Sequence, residues 1–246
     1  MRTATAILTP LAALLFILST PHARGADTSG DGWAPLFNGK DLTGWKFRQK
    51  NGSEAWKIVS DVRLDPSDPK KLLGEGEGGS DRAVLLRGAV EHGTDLITEK
   101  DFGDCELHVE FVVPQRSNSG VYLMGRYEIQ ILDSYGRKDD QLRPGDCGGV
   151  YITSKPSTNA TKPPGQWQTF DIVFQAPSFD ASGKKTQNAK FLSVKLNGVE
   201  IQKDVEVKGP TGSEISKEEK PTGPVMFQGD HGVVAFRNVR IKAKQL

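Results

Sequence analysis

Two carboxylates and an amide occur within one short stretch, residues 127–133, that is otherwise patterned as a buried strand. Its polar members are Glu128, Gln130 and Asp133, and its other side chains are mainly apolar. Burying acids and amides among apolar groups is costly unless they are partnered, so this pattern is more typical of a site than of a core. Acids in such a site can transfer protons during catalysis.

The direction of each side chain decides which of the three residues act together. In a regular strand Glu128 and Gln130 share one face, and Asp133 points to the other. A bulge at Ile131 and Leu132 would bring all three onto one surface, and bulges are frequent beside active sites. If Asp133 takes part in chemistry we expect that bulge; otherwise Asp133 is a turn cap at the strand end.

Histidines supply the other candidate proton carriers. His231 lies in a loop, Asp230-His231-Gly232, between two predicted strands. An imidazole titrates near neutral pH, so His231 could act as a base or as a metal ligand, or it could only hydrogen-bond within its loop. His92 is a weaker candidate of the same kind.

Further polar residues near the central stretch could bind a ligand through hydrogen bonds, or they could only support the fold. For Arg237 the alternative to ligand binding is an ion pair with a carboxylate across a sheet. An oxygen-rich set of this kind can hold a divalent cation, but the spacing matches no specific cation signature, so a metal ion is left open. The candidate ligand-binding residues are Gln130, Asn118, Arg126, Tyr151, Lys155 and Arg237.

Short strands separated by Gly and Pro must position these residues. The clearest alternation of apolar and polar residues runs over residues 105–113, and residues 117–123 and 127–133 predict a hairpin. Asn197 and Gly198 predict a two-residue type I′ turn between two further strands. The pattern predicts an all-β fold of two packed antiparallel sheets.

Three connections are also predicted from composition. Ser60 and Asp61 separate two alternating segments and predict a hairpin turn. Residues 65–81 and 211–221 are dense in Pro, Gly and charged residues, so both are predicted to be exposed loops.

Residues 1–25 have the features of an export signal. Arg2 supplies the positive end, residues 6–18 are mostly apolar, and Ala23 and Gly25 are small residues that suit a cleavage site. We therefore expect an exported protein, periplasmic or extracellular, whose remaining residues 26–246 form one domain without a membrane anchor. A chain of about 220 residues is a common length for a single all-β sandwich.

The charge of the chain limits its possible binding partners, and its cysteine content limits its possible disulfides. The chain has 32 basic and 31 acidic residues, and no basic run occurs, so neither nucleic acid nor an anionic membrane surface is indicated. Cys105 and Cys147 are the two cysteines. Export would permit a disulfide between them, and two separate buried thiols are the equal alternative. The oligomeric state is open.

A series of motifs along the chain resembles the 3-keto-disaccharide hydrolase family. The resemblance covers almost all of the chain after residue 25. It implies a concanavalin-like jelly-roll sandwich whose concave sheet holds a sugar-derived ligand, with a recurring His-Gly at His231. The motifs are Pro-Leu-Phe-Asn-Gly-Lys-Asp-Leu-Thr-Gly-Trp, Ser-Asn-Ser-Gly-Val-Tyr-Leu, Tyr-Glu-Ile-Gln-Ile-Leu-Asp, Gly-Gln-Trp-Gln-Thr-Phe-Asp-Ile, Leu-Asn-Gly-Val and Phe-Arg-Asn-Val-Arg-Ile-Lys.

The resemblance implies cleavage of glycosides already oxidised to a ketone at sugar position 3. That ketone acidifies the hydrogen at position 2, so a base can start an elimination that expels the oxygen at position 1, with or without later addition of water. An acid must donate a proton to the leaving oxygen, and a positive group or a metal ion must stabilise the enolate. The residues expected to be catalytic are Glu128, Asp133 and His231.

Two other functions remain open. One is a noncatalytic carbohydrate-binding module with the same fold. The other is a retaining β-glucan glycosidase, because residues 128–133 resemble the Glu-x-Asp-x-x-Glu strand of laminarinase-type enzymes. Gln130 and Asp133 depart from that pattern, and a retaining mechanism needs two carboxylates roughly 5 Å apart.

Overall fold

The computed structural model describes residues 32–49, 55–79, 83–88 and 93–244. The predicted export signal, residues 1–25, and His92 lie outside these ranges. The strands, numbered in chain order, are β1 (Ala34–Pro35), β2 (Trp45–Phe47), β3 (Trp56–Val59), β4 (Asp61–Asp65), β5 (Asp68–Glu75), β6 (Val84–Arg87), β7 (Leu96–Phe102), β8 (Cys105–Val112), β9 (Asn118–Leu123), β10 (Tyr127–Leu132), β11 (Gln168–Gln175), β12 (Ser178–Phe179), β13 (Lys185–Gln187), β14 (Ala189–Leu196), β15 (Val199–Val207), β16 (Gly223–Phe227) and β17 (Val234–Ala243). A short 3-10 turn spans Asp139–Gln141.

Two antiparallel sheets pack face to face, which confirms the predicted all-β jelly-roll sandwich. Over the described residues, the larger sheet has the order β15-β14-β11-β8-β17-β6-β3, with β1 paired to β17. The smaller sheet has the order β10-β9-β16-β7-β2. Two small ribbons, β4 with β5 and β12 with β13, lie outside this sandwich.

Alternating strands fill the space between the sheets. In β8, Leu107, Val109 and Phe111 are fully buried, and the residues between them are half-buried. Phe227 of β16 stacks on Phe236 of β17 with ring centroids 4.1 Å apart, so the two sheets meet through aromatic contact. Each large apolar side chain buried in this way contributes about 1.5–3 kcal/mol.

Two of the predicted turns are confirmed. Asn197 and Gly198, with φ angles of 54° and 83°, connect β14 to β15 as a type I′ turn requires. Strands β9 and β10 form the predicted hairpin in unbroken antiparallel register. This hairpin carries the central stretch on the edge of the smaller sheet.

Two predictions are wrong here, the hairpin turn at Ser60 and Asp61 and the loop in the part of the chain where β5 lies. Strands β3 and β4 do not pair with each other; β3 pairs with β6, and β4 pairs with β5. The segment predicted as a loop from Asp65 therefore contains β5, the second strand of a hairpin with β4. Because β5 is largely exposed, its charged composition is compatible with a strand.

The cysteines do not form the disulfide considered above, since both are buried free thiols. Burial raises the pKa of each thiol to about 12, so both stay protonated at neutral pH. They fill space in the core as small apolar groups. In the described part of the chain, no helix has the length and apolar character needed to cross a membrane.

Candidate functional site

The site lies on the outer face of β10. Tyr127, Ile129 and Ile131 point into the core and are fully buried, so Glu128 and Gln130 face outward by the alternation of a strand. An outward side chain of a sheet is normally wet, yet Glu128 is 2% exposed and Gln130 3% exposed. Something must therefore cover this face.

Residues 211–221, predicted as an exposed excursion, supply part of the cover. The Glu128 backbone N–H donates to Thr211 Oγ1 at 3.0 Å, and Ile215 N–H donates to the Gly125 carbonyl at 2.9 Å. Arg126 Nε donates to the Glu218 carbonyl at 2.8 Å. The segment is thus held against the hairpin by several hydrogen bonds.

The segment around Val150 covers the open edge of β10. Gly148 and Gly149 exchange backbone hydrogen bonds with Gln130, and Tyr151 N–H donates to the Glu128 carbonyl at 3.1 Å. Val150 makes isolated bridges with Ile129 and with Ser154, and residues 151–153 form a turn between them. Tyr151 consequently stands beside Glu128.

Together these segments leave a small cavity of about 50 Å³ in front of Glu128. Five of the residues predicted for the site line it, together with three that the sequence did not single out. The lining consists of Asn118, Tyr122, Glu128, Gln130, Tyr151, Ser213, Gln228 and His231.

Glu128 is a buried carboxylic acid that lines the cavity. Its pKa is raised to about 8, mainly by burial and also by the negative charges of Asp230 and Asp95, whereas a hydrogen bond with Tyr122 acts against them. At neutral pH the carboxyl group is therefore mostly protonated. A carboxyl group with a pKa close to the operating pH can both donate and accept a proton in a reaction.

The amides of the cavity are fixed by internal hydrogen bonds. Gln130 Nε2 donates to Asn118 Oδ1 at 2.6 Å and contacts the carbonyls of Ser119 and Ile131 at 3.3 and 3.2 Å. Gln228 Nε2 donates to the Tyr122 hydroxyl at 3.4 Å. Such fixed dipoles need little reorganisation when they bind a polar ligand.

His231 forms the more open side of the cavity. Its Nδ1 lies 2.5 Å from Asp230 Oδ1, and its side chain is 44% exposed. A neutral imidazole that donates from Nδ1 to a carboxylate presents Nε2 as an acceptor, the arrangement of a general base. His231 and Glu128 thus border the same cavity.

The loop that carries His231 is anchored by buried charged groups. Asp95 Oδ1 accepts from Gly229 N–H at 2.9 Å, and Asp95 Oδ2 accepts from Arg48 at 3.1 Å. Arg87 Nε donates to the Gly229 carbonyl at 2.6 Å. Burial raises the pKa of Asp95 above its usual value. These contacts fix the start of the loop, and hence the position of His231.

Asp133 does not join Glu128 and Gln130. The expected bulge at Ile131 and Leu132 is not formed, because β10 keeps a regular register with β9 through its last residue. Asp133 Oδ2 instead accepts from the Arg116 backbone N–H at 2.9 Å. Arg116 has a left-handed φ of 60°, so the carboxylate stabilises a tight turn next to the strand.

Three other predicted ligand-binding residues also lie away from the cavity. Arg237 is on β17 of the larger sheet, where Nε donates to Glu110 Oε2 at 2.7 Å and the guanidinium stacks 3.9 Å above Trp167. Arg126 is buried, and its hydrogen bond to the Glu218 carbonyl holds residues 211–221 against the hairpin. Lys155 is exposed, with its charge near Asp139.

Tyr122, Ser213 and Gln228 were not identified from the sequence. For Tyr122 a signal existed, since the predicted hairpin pairs it with Glu128. Gln228 directly follows β16. Ser213 reaches the site on residues 211–221, and no local pattern in that segment indicates where it folds.

Gly120 makes room for the Glu128 side chain. A Cβ atom there would overlap Glu128 Oε1 and lie 3.0 Å from Tyr122 Cε2. We expect Gly120→Ala to displace the carboxyl group and lower turnover by about 100-fold, since small displacements at a site have effects of this size. Gly209→Ala is the matched control, because its Cβ would meet no atom within 4 Å. Equal activity of the two variants would contradict this role of Gly120.

The residues that could hold a metal ion are few. Within the described ranges, no cluster of three or more His, Cys, Asp or Glu side chains has a geometry that could hold one. The cavity is lined by carboxyl, imidazole, amide and hydroxyl side chains.

Comparison with known proteins agrees with the motifs. The sequence model of the 3-keto-alpha-glucoside-1,2-lyase-like domain matches residues 32–242. A search of curated proteins gave no match.

Solved structures with the same fold include proteins from Parabacteroides distasonis ATCC 8503 that are described as "putative glycosyl hydrolase". One is 27% identical, with 87% of this chain and 84% of that chain covered and a TM-score of 0.61. A second is 21% identical, with 88% and 96% covered and a TM-score of 0.58.

Proposed function

Because the chain belongs to the 3-keto-alpha-glucoside-1,2-lyase-like family, we propose that it cleaves the glycosidic bond of 3-keto-glycosides in the Glu128 cavity. The observation that carries the proposal is a buried carboxyl group whose pKa of about 8 suits it to donate a proton at neutral pH. It shares a cavity with amides and with the imidazole of His231. This combination supplies the acid, the base and the dipoles that an elimination needs.

The reaction begins with loss of the hydrogen at C2, the carbon at position 2 of the sugar, which lies between the ketone at C3 and the glycosidic carbon C1. A base takes that proton, and the electron pair of the C–H bond forms an enolate with the C3 carbonyl. When the carbonyl re-forms, the pair makes a C1–C2 double bond and the C1–O bond breaks. The leaving oxygen takes a proton and departs as an alcohol. Addition of water across the new double bond, with oxygen at C1 and hydrogen at C2, then gives the net hydrolysis product.

Each step has a candidate residue. His231 Nε2 is the base, since Asp230 holds the other ring nitrogen. Protonated Glu128 is the acid for the leaving oxygen. Asn118 uses its Oδ1 to accept from Gln130, so within the described part of the chain its Nδ2 group is available to donate to the oxygen at C3. Gln228 lies across the cavity and can hold a further hydroxyl.

An ordinary retaining glycosidase is less well supported. Such an enzyme needs two carboxylates about 5 Å apart. On β10 the second polar residue is the amide Gln130, and Asp133 is turned toward the Arg116 backbone.

Export of the chain also stays a proposal, which rests on the sequence of residues 1–25.

Paired substrates test the proposal. Purified protein is incubated with methyl 3-keto-α-glucoside and, separately, with methyl α-glucoside, and the products are analysed by mass spectrometry. We expect methanol release from the keto substrate only. A sugar product that has gained water indicates hydrolysis, and one that has not indicates elimination alone.

Three results would contradict the proposal. Equal cleavage of both glucosides would show that the ketone plays no part. Release of reducing sugar from laminarin would support the retaining glycosidase. Tight glycan binding without any product after long incubation would support the noncatalytic module.

A further inference from the structure

A second and larger cavity adjoins the Glu128 cavity along the same face of β10. It has a volume of about 420 Å³ and is lined by Leu132, Arg137, Arg143, Pro144, Gly145, Asp146, Tyr151 and Ile152. Leu132 shares its face of the strand with Glu128 and Gln130, about 13 Å from Glu128 at roughly 3.3 Å per residue. Tyr151 lines both cavities. A molecule cleaved at Glu128 can therefore extend into the second cavity.

The walls of the second cavity are mainly apolar and partly exposed. Tyr151 is 36% exposed and Ile152 is 66% exposed, next to Leu132 and Pro144. Ile152 also has a left-handed φ of 54°, which is costly for a β-branched residue. The turn is fixed by hydrogen bonds from Thr153 and Ser154 to the Val150 carbonyl. The protein thus keeps the side chains of Tyr151 and Ile152 exposed to solvent, at a cost in backbone strain.

The charge of the second cavity is positive. Asp146, which is 2% exposed, accepts from Arg137 Nε at 3.2 Å and from the Arg143 backbone N–H at 2.7 Å. The single carboxylate therefore offsets one of two guanidinium groups. Among the described residues, the Arg143 side chain has no acidic partner, so it can pair with an anion.

We propose that the second cavity binds the leaving group and selects flat aromatic leaving groups that carry a carboxylate. This inference rests on the proposed function, because it assigns the other half of the same substrate. The ring packs against Tyr151, Ile152 and Leu132, and the carboxylate pairs with Arg143. A second sugar ring fits less well, since its hydroxyls would face apolar walls that offer them few partners.

A set of four substrates and two variants tests the specificity. The substrates are 3-keto-α-glucosides with methyl, 4-carbamoylphenyl and 4-carboxyphenyl leaving groups, and a 3-keto-disaccharide. We expect Arg143→Gln to lower kcat/KM for the 4-carboxyphenyl substrate about tenfold or more, as loss of a charge-assisted contact does. The same variant should change kcat/KM for the methyl and 4-carbamoylphenyl substrates less than about twofold.

The second variant, Ile152→Asn, separates the apolar contact from folding. Asn tolerates a left-handed φ, so the turn is retained while the apolar side chain is lost. We expect KM to rise several-fold for both aryl substrates and to stay unchanged for the methyl substrate. Val199→Ser is the matched control, because Val199 is a 45% exposed apolar residue on β15, away from the cavity. It should behave as the unmodified protein with every substrate.

Direct binding gives a readout that needs no turnover. Titration of the unmodified protein with 4-hydroxybenzoate, followed by calorimetry, should give binding that Arg143→Gln weakens about tenfold. If no 3-keto-glycoside is cleaved and this binding occurs, the proposed function fails, and the second cavity stands only as a binding site for aromatic carboxylates. If the methyl substrate is cleaved and Arg143→Gln acts alike on all substrates, or the disaccharide is preferred, the assignment fails and the proposed function stands.

Discussion

Replacing Glu128 with Gln is expected to lower the turnover of a 3-keto-glucoside by about 10²- to 10⁴-fold, the usual contribution of a general acid. Gln has nearly the same shape as Glu and cannot supply a proton to the leaving oxygen. Since the pKa of Glu128 is about 8, turnover by the unmodified protein should fall above that pH as the acid loses its proton. The variant should lack this alkaline decline in its pH profile.

A matched control is Glu106→Gln, because Glu106 is a half-buried strand residue on β8 of the larger sheet. It should keep both the rate and the pH profile. Full turnover by Glu128→Gln would remove Glu128 from the mechanism and leave the base and the acid to be sought elsewhere in the cavity.

The same substitution is expected to change the dependence of stability on pH. Glu128 has a usual pKa of 4.5 and a folded-state pKa of about 8, so the folded state retains a proton that the unfolded chain loses. This group therefore destabilises the folded state increasingly as pH rises from 4.5 to 8. At 1.36 kcal/mol for each pKa unit, the effect approaches about 5 kcal/mol. Below pH 4.5 the group is neutral in both states and contributes no pH dependence.

Glu128→Gln should therefore gain free energy of unfolding relative to the unmodified protein across this range. The measurement is urea unfolding of both proteins at several pH values between 4 and 9, followed by tryptophan fluorescence. Asp95 also has a raised pKa, but it is present in both proteins, so its contribution cancels in the difference apart from its interaction with Glu128. A difference in stability that does not vary with pH would show that Glu128 is not buried as described.

The hairpin of β9 and β10 could be predicted from the sequence because local patterns determine it. Apolar residues alternate with polar ones over residues 127–131, and Gly125 permits the tight turn through its φ of 61°. The same alternation indicated that Glu128 and Gln130 share a face. Once the hairpin is drawn, its register also pairs Tyr122 with Glu128.

The position of Asp133 could not be decided locally. A strand with a bulge and a regular strand followed by a turn have the same sequence pattern over these residues. The Arg116 backbone, which Asp133 accepts from, comes close only because β9 and β10 pair in regular register. The surrounding fold therefore selected the turn cap.

The largest feature that could not be predicted from the sequence is the segment that covers the site. Residues 211–221 are charged and rich in turn formers, which is typical of an exposed loop, but their backbone groups bind to the hairpin far away in sequence. The choice between the two roles considered for Arg237 could not be made for a similar reason. Its motif gave the strand, whereas the packing of β17 in the larger sheet decided that it meets Glu110 and Trp167.

The fate of the hydrogen at C2 tests the central claim most directly. Methyl 3-keto-α-glucoside is incubated with the protein in D₂O, and the reaction is followed by proton NMR beside a sample without protein, which corrects for spontaneous exchange next to the ketone. We predict that every methanol released is accompanied by loss of the original hydrogen at C2, either as the unsaturated ketone or as the hydrated sugar with deuterium at C2. Release of methanol with the C2 hydrogen retained would contradict elimination in the Glu128 cavity.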